Sequence, residues 1–95
     1  MGIPHIDLWS KNKDAEVKRK FEEEEIIGKI DNIIFLIKRY SCIPEYLGNE
    51  YEIWIREADG NEKKLKGTRT YKKKIHAYEK GLAVIRYFLK KKGEI

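Results

Sequence analysis

A long amphipathic pattern near the C-terminal end of the chain constrains the fold more than any other feature. Apolar residues recur there at alternating spacings of three and four, in the order Ile75, Tyr78, Leu82, Ile85 and Leu89. This spacing predicts one helix from about residue 71 to about residue 91, with Thr70 as its N-cap. Because an apolar helix face must pack against another element, the remaining residues have to supply that surface.

The segment immediately before this helix predicts a β-hairpin. Apolar and polar residues alternate from Tyr51 to Arg56, as they do in a half-buried strand. Asp59, Gly60 and Asn61 follow, and their tolerance of turn conformations predicts a reversal of the chain before a second strand that reaches about residue 70. The helix is expected to pack on the hairpin face that carries Tyr51, Ile53, Ile55 and Leu65.

The segment from Asp14 to Ser41 is rich in charged helix formers, and its apolar residues also recur mostly at spacings of three or four: Val17, Phe21, Ile27, Ile30, Ile34 and Ile37. This spacing predicts one long helix, or two helices that meet near Gly28, because glycine inside a helix costs about 1 kcal/mol relative to alanine. An alternative interpretation makes Glu24 to Ile30 a strand and begins the helix at Asp31. Residues 1–13 are expected to form a loosely ordered arm.

These elements predict a single α+β domain over residues 1–95, with an N-terminal helix or helix pair, a hairpin at about 51–70 and a C-terminal helix at about 71–91. Cys42 is the only cysteine, so no disulfide can form within the chain. No stretch approaches the roughly 20 apolar residues that span a membrane. The start of the chain also lacks the pattern of a secretory signal. A cytoplasmic location is therefore expected.

Positive charge is concentrated in the second half of the chain. Residues 51–95 contain thirteen Lys or Arg against six Asp or Glu, whereas residues 1–50 contain eight against ten. Seven cations lie within twelve residues that contain no acid: Lys63, Lys64, Lys66, Arg69, Lys72, Lys73 and Lys74. Such a block attracts polyanions. The alternative interpretation is that these lysines only keep the protein in solution, or reflect a Lys-rich and Glu-rich proteome.

The hairpin face opposite the predicted core combines groups that suit nucleic acid. Trp54 offers a stacking plane, and Arg56, Lys64 and Lys66 offer partners for phosphates. The predicted nucleic-acid-binding residues are Trp54, Arg56, Lys63, Lys64, Lys66, Arg69, Lys72, Lys73 and Lys74. In the alternative interpretation, the N-terminal helices cover this face and Trp54 belongs to the core.

Residues 51–89 resemble the AP2-like arm-type DNA-binding domain at the N-terminus of phage integrases. The shared features are an aromatic-rich first strand, the Asp59-Gly60 turn, a basic second strand that ends near threonines, and a helix that begins with lysines. The resemblance implies DNA as the partner, with the sheet in the major groove and Trp54, Arg56, Lys64, Lys66 and Arg69 on the DNA side. The acidic N-terminal segment is not part of that domain, and the sequence shows no clear third strand for it.

No catalytic, cofactor or metal site is predicted. Glu62, Lys63 and Lys64 resemble the E-x-K triplet of PD-(D/E)xK nucleases, but Asp59 is too close in sequence to share a metal ion with Glu62. His5 and His76 have no second ligand at a metal-binding spacing, and no glycine-rich phosphate loop is present. The chain is therefore not expected to be an enzyme, and no small-molecule substrate is evident.

A second function class follows from the apolar stripes at residues 27–37 and 75–89. These stripes offer more apolar surface than a two-stranded hairpin covers, so helices could pair across a homodimer. The protein would then be an adaptor or inhibitor of phage, viral or mobile-element type that makes no contact with nucleic acid. Salt dependence separates the two classes, because phosphate binding weakens steeply with salt and an apolar interface does not.

Overall fold

The computed structural model describes residues 18–93, which form a four-stranded antiparallel sheet with one helix on one face. The elements are β1 (Lys18–Ile30), β2 (Ile33–Ile43), β3 (Asn49–Arg56), β4 (Glu62–Lys64) and α1 (Lys74–Lys91), with a 3-10 helix at Glu45–Leu47. Each strand pairs with the next one in sequence, so the sheet order is β1-β2-β3-β4. The α+β class, the hairpin and the C-terminal helix are confirmed.

The predicted second strand of the hairpin is shorter than expected, although its pairing continues past an interruption. After β4 ends at Lys64, the Leu65 amide donates to the Ile53 carbonyl at 2.9 Å, and Tyr71 pairs with Tyr51. Residues 66–70, called the edge loop below, lie between these two contacts. The Thr68 hydroxyl donates to the Leu65 carbonyl and so ties the loop to the strand end.

The N-terminal prediction is wrong over residues 18–41, which form β1 and most of β2 instead of one helix or two. Residues 14–17, like the predicted arm at 1–13, lie outside the described residues. The alternative interpretation was correct in making Glu24 to Ile30 a strand and wrong in beginning a helix at Asp31. Ile30 pairs with Ile33 across a two-residue turn in which Asp31 has φ of 54°, a conformation that Asp tolerates.

Two irregularities in β1 explain why its sequence has the spacing of a helix. The pairing of β1 with β2 shifts register between Phe21 and Glu23, and again between Ile26 and Gly28. Each bulge inserts one extra residue, so the period-two alternation of a strand is broken twice. Both sheet faces also carry apolar residues, which leaves no single alternating pattern to recognise.

The core lies between α1 and one face of the sheet. Its buried residues are Ile30, Phe35, Ile53 and Leu65, and partly buried Ile55, Val84, Ile85 and Leu89 pack against them. The predicted packing of the helix on the face of Ile53 and Ile55 is therefore confirmed. The helix is rotated from the predicted stripe, however, because its fully buried positions are Ala77 and Gly81, whereas Ile75 remains 55% exposed.

Two glycines let the helix lie close to the sheet. A Cβ atom on Gly81 would lie 2.5 Å from Ile27 Cδ1, and one on Gly28 would lie 2.7 Å from Ile85 Cδ1. Both distances are much shorter than an ordinary van der Waals contact between carbon atoms. The glycines and isoleucines thus form two reciprocal contacts, in which each isoleucine fills the space that a side chain on the opposing element would occupy.

Candidate nucleic-acid surface

The sheet face opposite α1, called the open face below, carries a row of charges that neutralise one another. Direct pairing places Trp54 beside Lys64, Lys38 beside Glu52, and Arg56 beside Glu62. The charged side chains that interact on this face are the cations Arg19, Lys38, Arg56 and Lys64 and the carboxylates Glu24, Glu50, Glu52 and Glu62. Because these four positive charges meet four negative ones, this network adds no net positive charge to the open face.

Glu52 is the centre of this network. The residue is almost fully buried, at 4% exposure, and its carboxylate accepts hydrogen bonds from Arg19 at 2.8 Å, Thr70 at 2.9 Å and Trp54 Nε1 at 3.1 Å. Burial by itself would raise its pKa, but these three hydrogen bonds and the charge of Arg19 outweigh that effect and bring the pKa of Glu52 down to about 2. Glu52 is therefore an ionised structural anchor of the open face.

Trp54 is held within the same network. The ring is half-buried, its Nε1 is committed to Glu52, and the Lys38 ammonium lies 4.4 Å from the ring centroid. A cation at this distance makes a cation–π contact and covers one face of the indole ring. Stacking of Trp54 on a base stays a prediction, and only the uncovered face of the ring could take part in it.

Arg56 is also occupied by carboxylates. Its Nη2 contacts both carboxylate oxygens of Glu24, at 2.9 and 2.7 Å, and its Nε donates to Glu62 at 2.6 Å. Hydrogen bonds from Lys38 and Arg56 lower the pKa of Glu62. A phosphate that approached Arg56 would have to displace two carboxylates, so Arg56 is poorly placed as a phosphate ligand.

The basic run from Lys63 to Lys74 is only partly unopposed, because other elements bring acids to it. Four of its seven cations have carboxylate partners: Lys63 with Glu57 at 3.9 Å, Lys64 with Glu52 at 3.5 Å, Lys72 with Glu50 at 3.0 Å and Lys74 with Glu25 at 2.6 Å. The acids come from β1, β3 and the turn that follows β3. The number of positive charges in this run therefore overstates the positive potential that the folded protein presents there.

The other three cations are free to act. Lys66, Arg69 and Lys73 are exposed, and none of them forms an ion pair with any residue from 18 to 93. Lys66 and Arg69 project from the edge loop beside β4, and Lys73 directly precedes α1. We call these three residues the basic edge.

The helix continues the basic edge. Lys80 and Lys91 follow Lys73 at intervals of 7 and 11 residues, about two and three helical turns, so the three residues lie on the same side of α1. Neither Lys80 nor Lys91 forms an ion pair within the described part of the chain. Lys91 lines a cleft of about 290 Å³ together with Ile30 of β1, Ile33 of β2, Ile55 of β3 and Leu65. Lys73, Lys80 and Lys91 therefore extend the group of unpaired cations from the edge loop along one side of α1.

The nine predicted site residues thus separate into three groups. Trp54, Arg56 and Lys64 lie in the charge network of the open face, Lys63, Lys72 and Lys74 are exposed but paired, and Lys66, Arg69 and Lys73 form the basic edge. Sequence reasoning missed the partners from β1 and β2, such as Arg19, Glu24 and Lys38, because it placed them on helices. The β-branched residues around the Asp31 turn were the available signal for the strands.

No family model, no curated protein and no solved structure matches the chain. No helix within residues 18–93 combines the length and the apolar composition needed to cross a membrane. Over the same residues, no group of three or more His, Cys, Asp or Glu side chains is placed to hold a metal ion.

Proposed function

We propose that this protein is a small nucleic-acid-binding accessory protein that contacts phosphates through the basic edge. The observation that carries the proposal is that three unpaired cations lie close together in sequence at one edge of the sheet. Lys66, Arg69 and Lys73 have no acidic partner among residues 18–93 and share one edge, whereas the predicted open-face cations Arg56 and Lys64 are paired with carboxylates.

Phosphate binding suits this arrangement on energetic grounds. A cation already held by a carboxylate must lose that partner before it gains a phosphate, whereas a free exposed cation loses only water. Each free cation that neutralises a phosphate also releases a condensed counterion, which favours binding at low salt. Two of the three residues, Lys66 and Arg69, are exposed on the edge loop, and neither is held by a carboxylate of the open face.

The preference for DNA rests on the resemblance of residues 51–89 to the AP2-like arm-type domain. In support, β2 supplies a third strand beside β3 and β4, and α1 packs on one side of that sheet. The expected position of DNA on the sheet face does not fit the paired state of Arg56 and Lys64. We therefore assign the phosphate contacts to the edge loop and the start of the helix.

Two triple variants test the proposal. Changing Lys66, Arg69 and Lys73 to alanine should weaken binding to duplex DNA and make the slope of log affinity against log salt shallower by about one unit for each lost phosphate contact. A matched control changes Lys29, Arg86 and Lys90, which are equally exposed and unpaired within residues 18–93 but lie away from the basic edge. Fluorescence anisotropy with duplex DNA, single-stranded DNA and RNA at two salt concentrations supplies the measurement.

The control should retain most of the affinity and the parental salt slope, because it removes the same charge from other places. Both variants should keep the parental thermal midpoint, since exposed charges contribute little to stability. Equal losses in the two variants would show diffuse attraction and would contradict a site at the basic edge. Absence of binding to all three nucleic acids at low salt would overturn the proposed function.

A further inference from the structure

β1 forms the edge of the sheet opposite the basic edge. It is a 13-residue strand, and every residue from Lys18 to Ile26 is exposed. No strand within residues 18–93 pairs with its outer side. A long edge strand leaves backbone donors and acceptors unpaired and is a template for a further strand, so proteins normally block such edges with charge.

The order of the charges on β1 does not block every partner. Three cations, Lys18, Arg19 and Lys20, precede Phe21, and four carboxylates at residues 22–25 follow it. An edge with one sign of charge would repel a copy of itself. Here an antiparallel copy brings the basic block of each strand opposite the acidic block of the other, with Phe21 between the blocks.

We propose that two copies of this chain pair through β1 about a two-fold axis at Phe21 and form a continuous eight-stranded sheet. Phe21, Arg19 and Glu24 are on the open face, because they pair with Tyr40, Cys42 and Lys38 of β2. Residues that oppose each other in an antiparallel pair share a face. Arg19 therefore faces Glu24 of the second copy, and Phe21 faces its own counterpart.

The bulge in β1 allows the residues on the face that packs against α1 to follow the same register between the two copies. Glu22 is the extra residue between the pairs of Phe21 and Glu23, and it contacts Ser41, which pairs with Lys20. Two residues of a bulge oppose a single residue of the partner strand. Lys20 therefore meets both Glu22 and Glu23 of the second copy, and Lys18 meets Glu25.

Several of these side chains are free to change partners. Lys18 and Lys20 form no ion pair with any described residue, and Glu22 accepts a hydrogen bond from the Ser41 hydroxyl without pairing to a cation there. Phe21 is 49% exposed on the monomer, and the two-fold axis would bring it against a second phenylalanine. The pairing would thus give partners to an open strand edge, to the two unpaired cations Lys18 and Lys20, and to an exposed ring.

Charge reversal with rescue tests the pairing. Lys20→Glu should raise the dimer dissociation constant by about tenfold or more, because the axis places two pairs of like charges together. Glu22→Lys should weaken the dimer less, because Lys20 keeps Glu23 of the second copy as its partner. Adding Glu22→Lys to Lys20→Glu should recover part of the lost affinity, because it returns one pair of opposite charges on each side of the axis. Sedimentation equilibrium measures each constant, and Lys80→Glu on the helix surface is the matched control that should leave the mass unchanged.

A cysteine at the axis tests the register. Opposed residues in an antiparallel pair have Cα atoms about 4.5 to 5.5 Å apart, which a disulfide can bridge. Phe21→Cys should therefore form a covalent dimer on oxidation, whereas Ile26→Cys, on the same face but away from the axis, should not. A parental chain that is monomeric at all accessible concentrations, a dimer unaffected by Lys20→Glu, or equal crosslinking of both cysteine variants would overturn the proposal. The basic edge lies at the opposite edge of the sheet from β1. The dimer test and the nucleic-acid test can therefore fail or succeed independently of each other.

Discussion

Glu52 illustrates how one residue controls the open face. Its carboxylate, on β3, connects three parts of the fold. Arg19 near the start of β1, Trp54 of β3 and Thr70 at the end of the edge loop all donate to it. In the unfolded chain these donors are hydrated separately and the pKa is near its ordinary value of 4.5. The fall to about 2 in the folded protein therefore measures how much the fold favours the ionised form.

Glu52→Gln should destabilise the protein most at neutral pH. A depressed folded-state pKa adds stability that is fully present above the unfolded value and is lost as pH falls through the folded value. The window therefore runs from about pH 4.5 to about pH 2, and the stabilisation is of the order of 3 kcal/mol. Chemical denaturation at a series of pH values should show the parent and the variant converging across that window.

Glu45→Gln is the control for this measurement. Glu45 is exposed in the 3-10 helix and forms no ion pair with the described residues. Its substitution should leave both the stability and its acid dependence close to those of the parent. A constant difference between Glu52→Gln and the parent from pH 7 to pH 2 would show that the carboxylate contributes through shape and not through charge.

At the scale of elements, the contact between α1 and β1 depends on the absence of a side chain at Gly81. Alanine normally stabilises a helix interior by about 1 kcal/mol relative to glycine. At Gly81 the added Cβ would meet Ile27 Cδ1 at 2.5 Å, so most of that gain should be lost or reversed. Ile27→Val removes Cδ1, and Gly81→Ala in that background should stabilise the protein by up to about 1 kcal/mol.

A double-mutant cycle measured by denaturant unfolding gives the coupling between these two positions. The expected coupling is favourable, because the double variant avoids the contact that the single Gly81→Ala variant creates. The pair Gly28→Ala and Ile85→Val is the second test of the same principle, since Ile85 Cδ1 lies 2.7 Å from the corresponding Cβ. Additive effects at both pairs would mean that the helix moves away from the sheet at little cost.

At the scale of the whole molecule, α1 covers the apolar core on one face of the sheet. Ile30, Phe35 and Ile53 are buried on the face that the helix contacts, and no second sheet is present within residues 18–93. A chain that ends after Tyr71 should therefore lose cooperative thermal unfolding, because its apolar face would be exposed to water. Near-ultraviolet and far-ultraviolet circular dichroism during heating measure the loss, and a chain that ends after Gly93 is the control. A sharp transition in the shorter chain would mean that the sheet is stable by itself.

The sequence by itself determined the two elements whose signals are local. The spacing of apolar residues predicts α1, although it places the helix start three residues early, and the alternation before the Asp59-Gly60 turn predicts β3 and its reversal. Both patterns result from one buried face with a regular period. The packing of the helix on Ile53 and Ile55 could be predicted in the same way, because the apolar face of the helix and the apolar face of the hairpin both have to be buried.

Only the tertiary structure decided residues 18–43 and the charge of the candidate site. Two bulges and apolar residues on both faces removed the strand period from β1, so pairing with β2 had to override its helical spacing. The same pairing carries Glu24 and Glu25 to cations more than thirty positions away, Arg56 and Lys74. Ion pairing depends on distance in space, and the sequence could not separate paired lysines from free ones until the strand order was known.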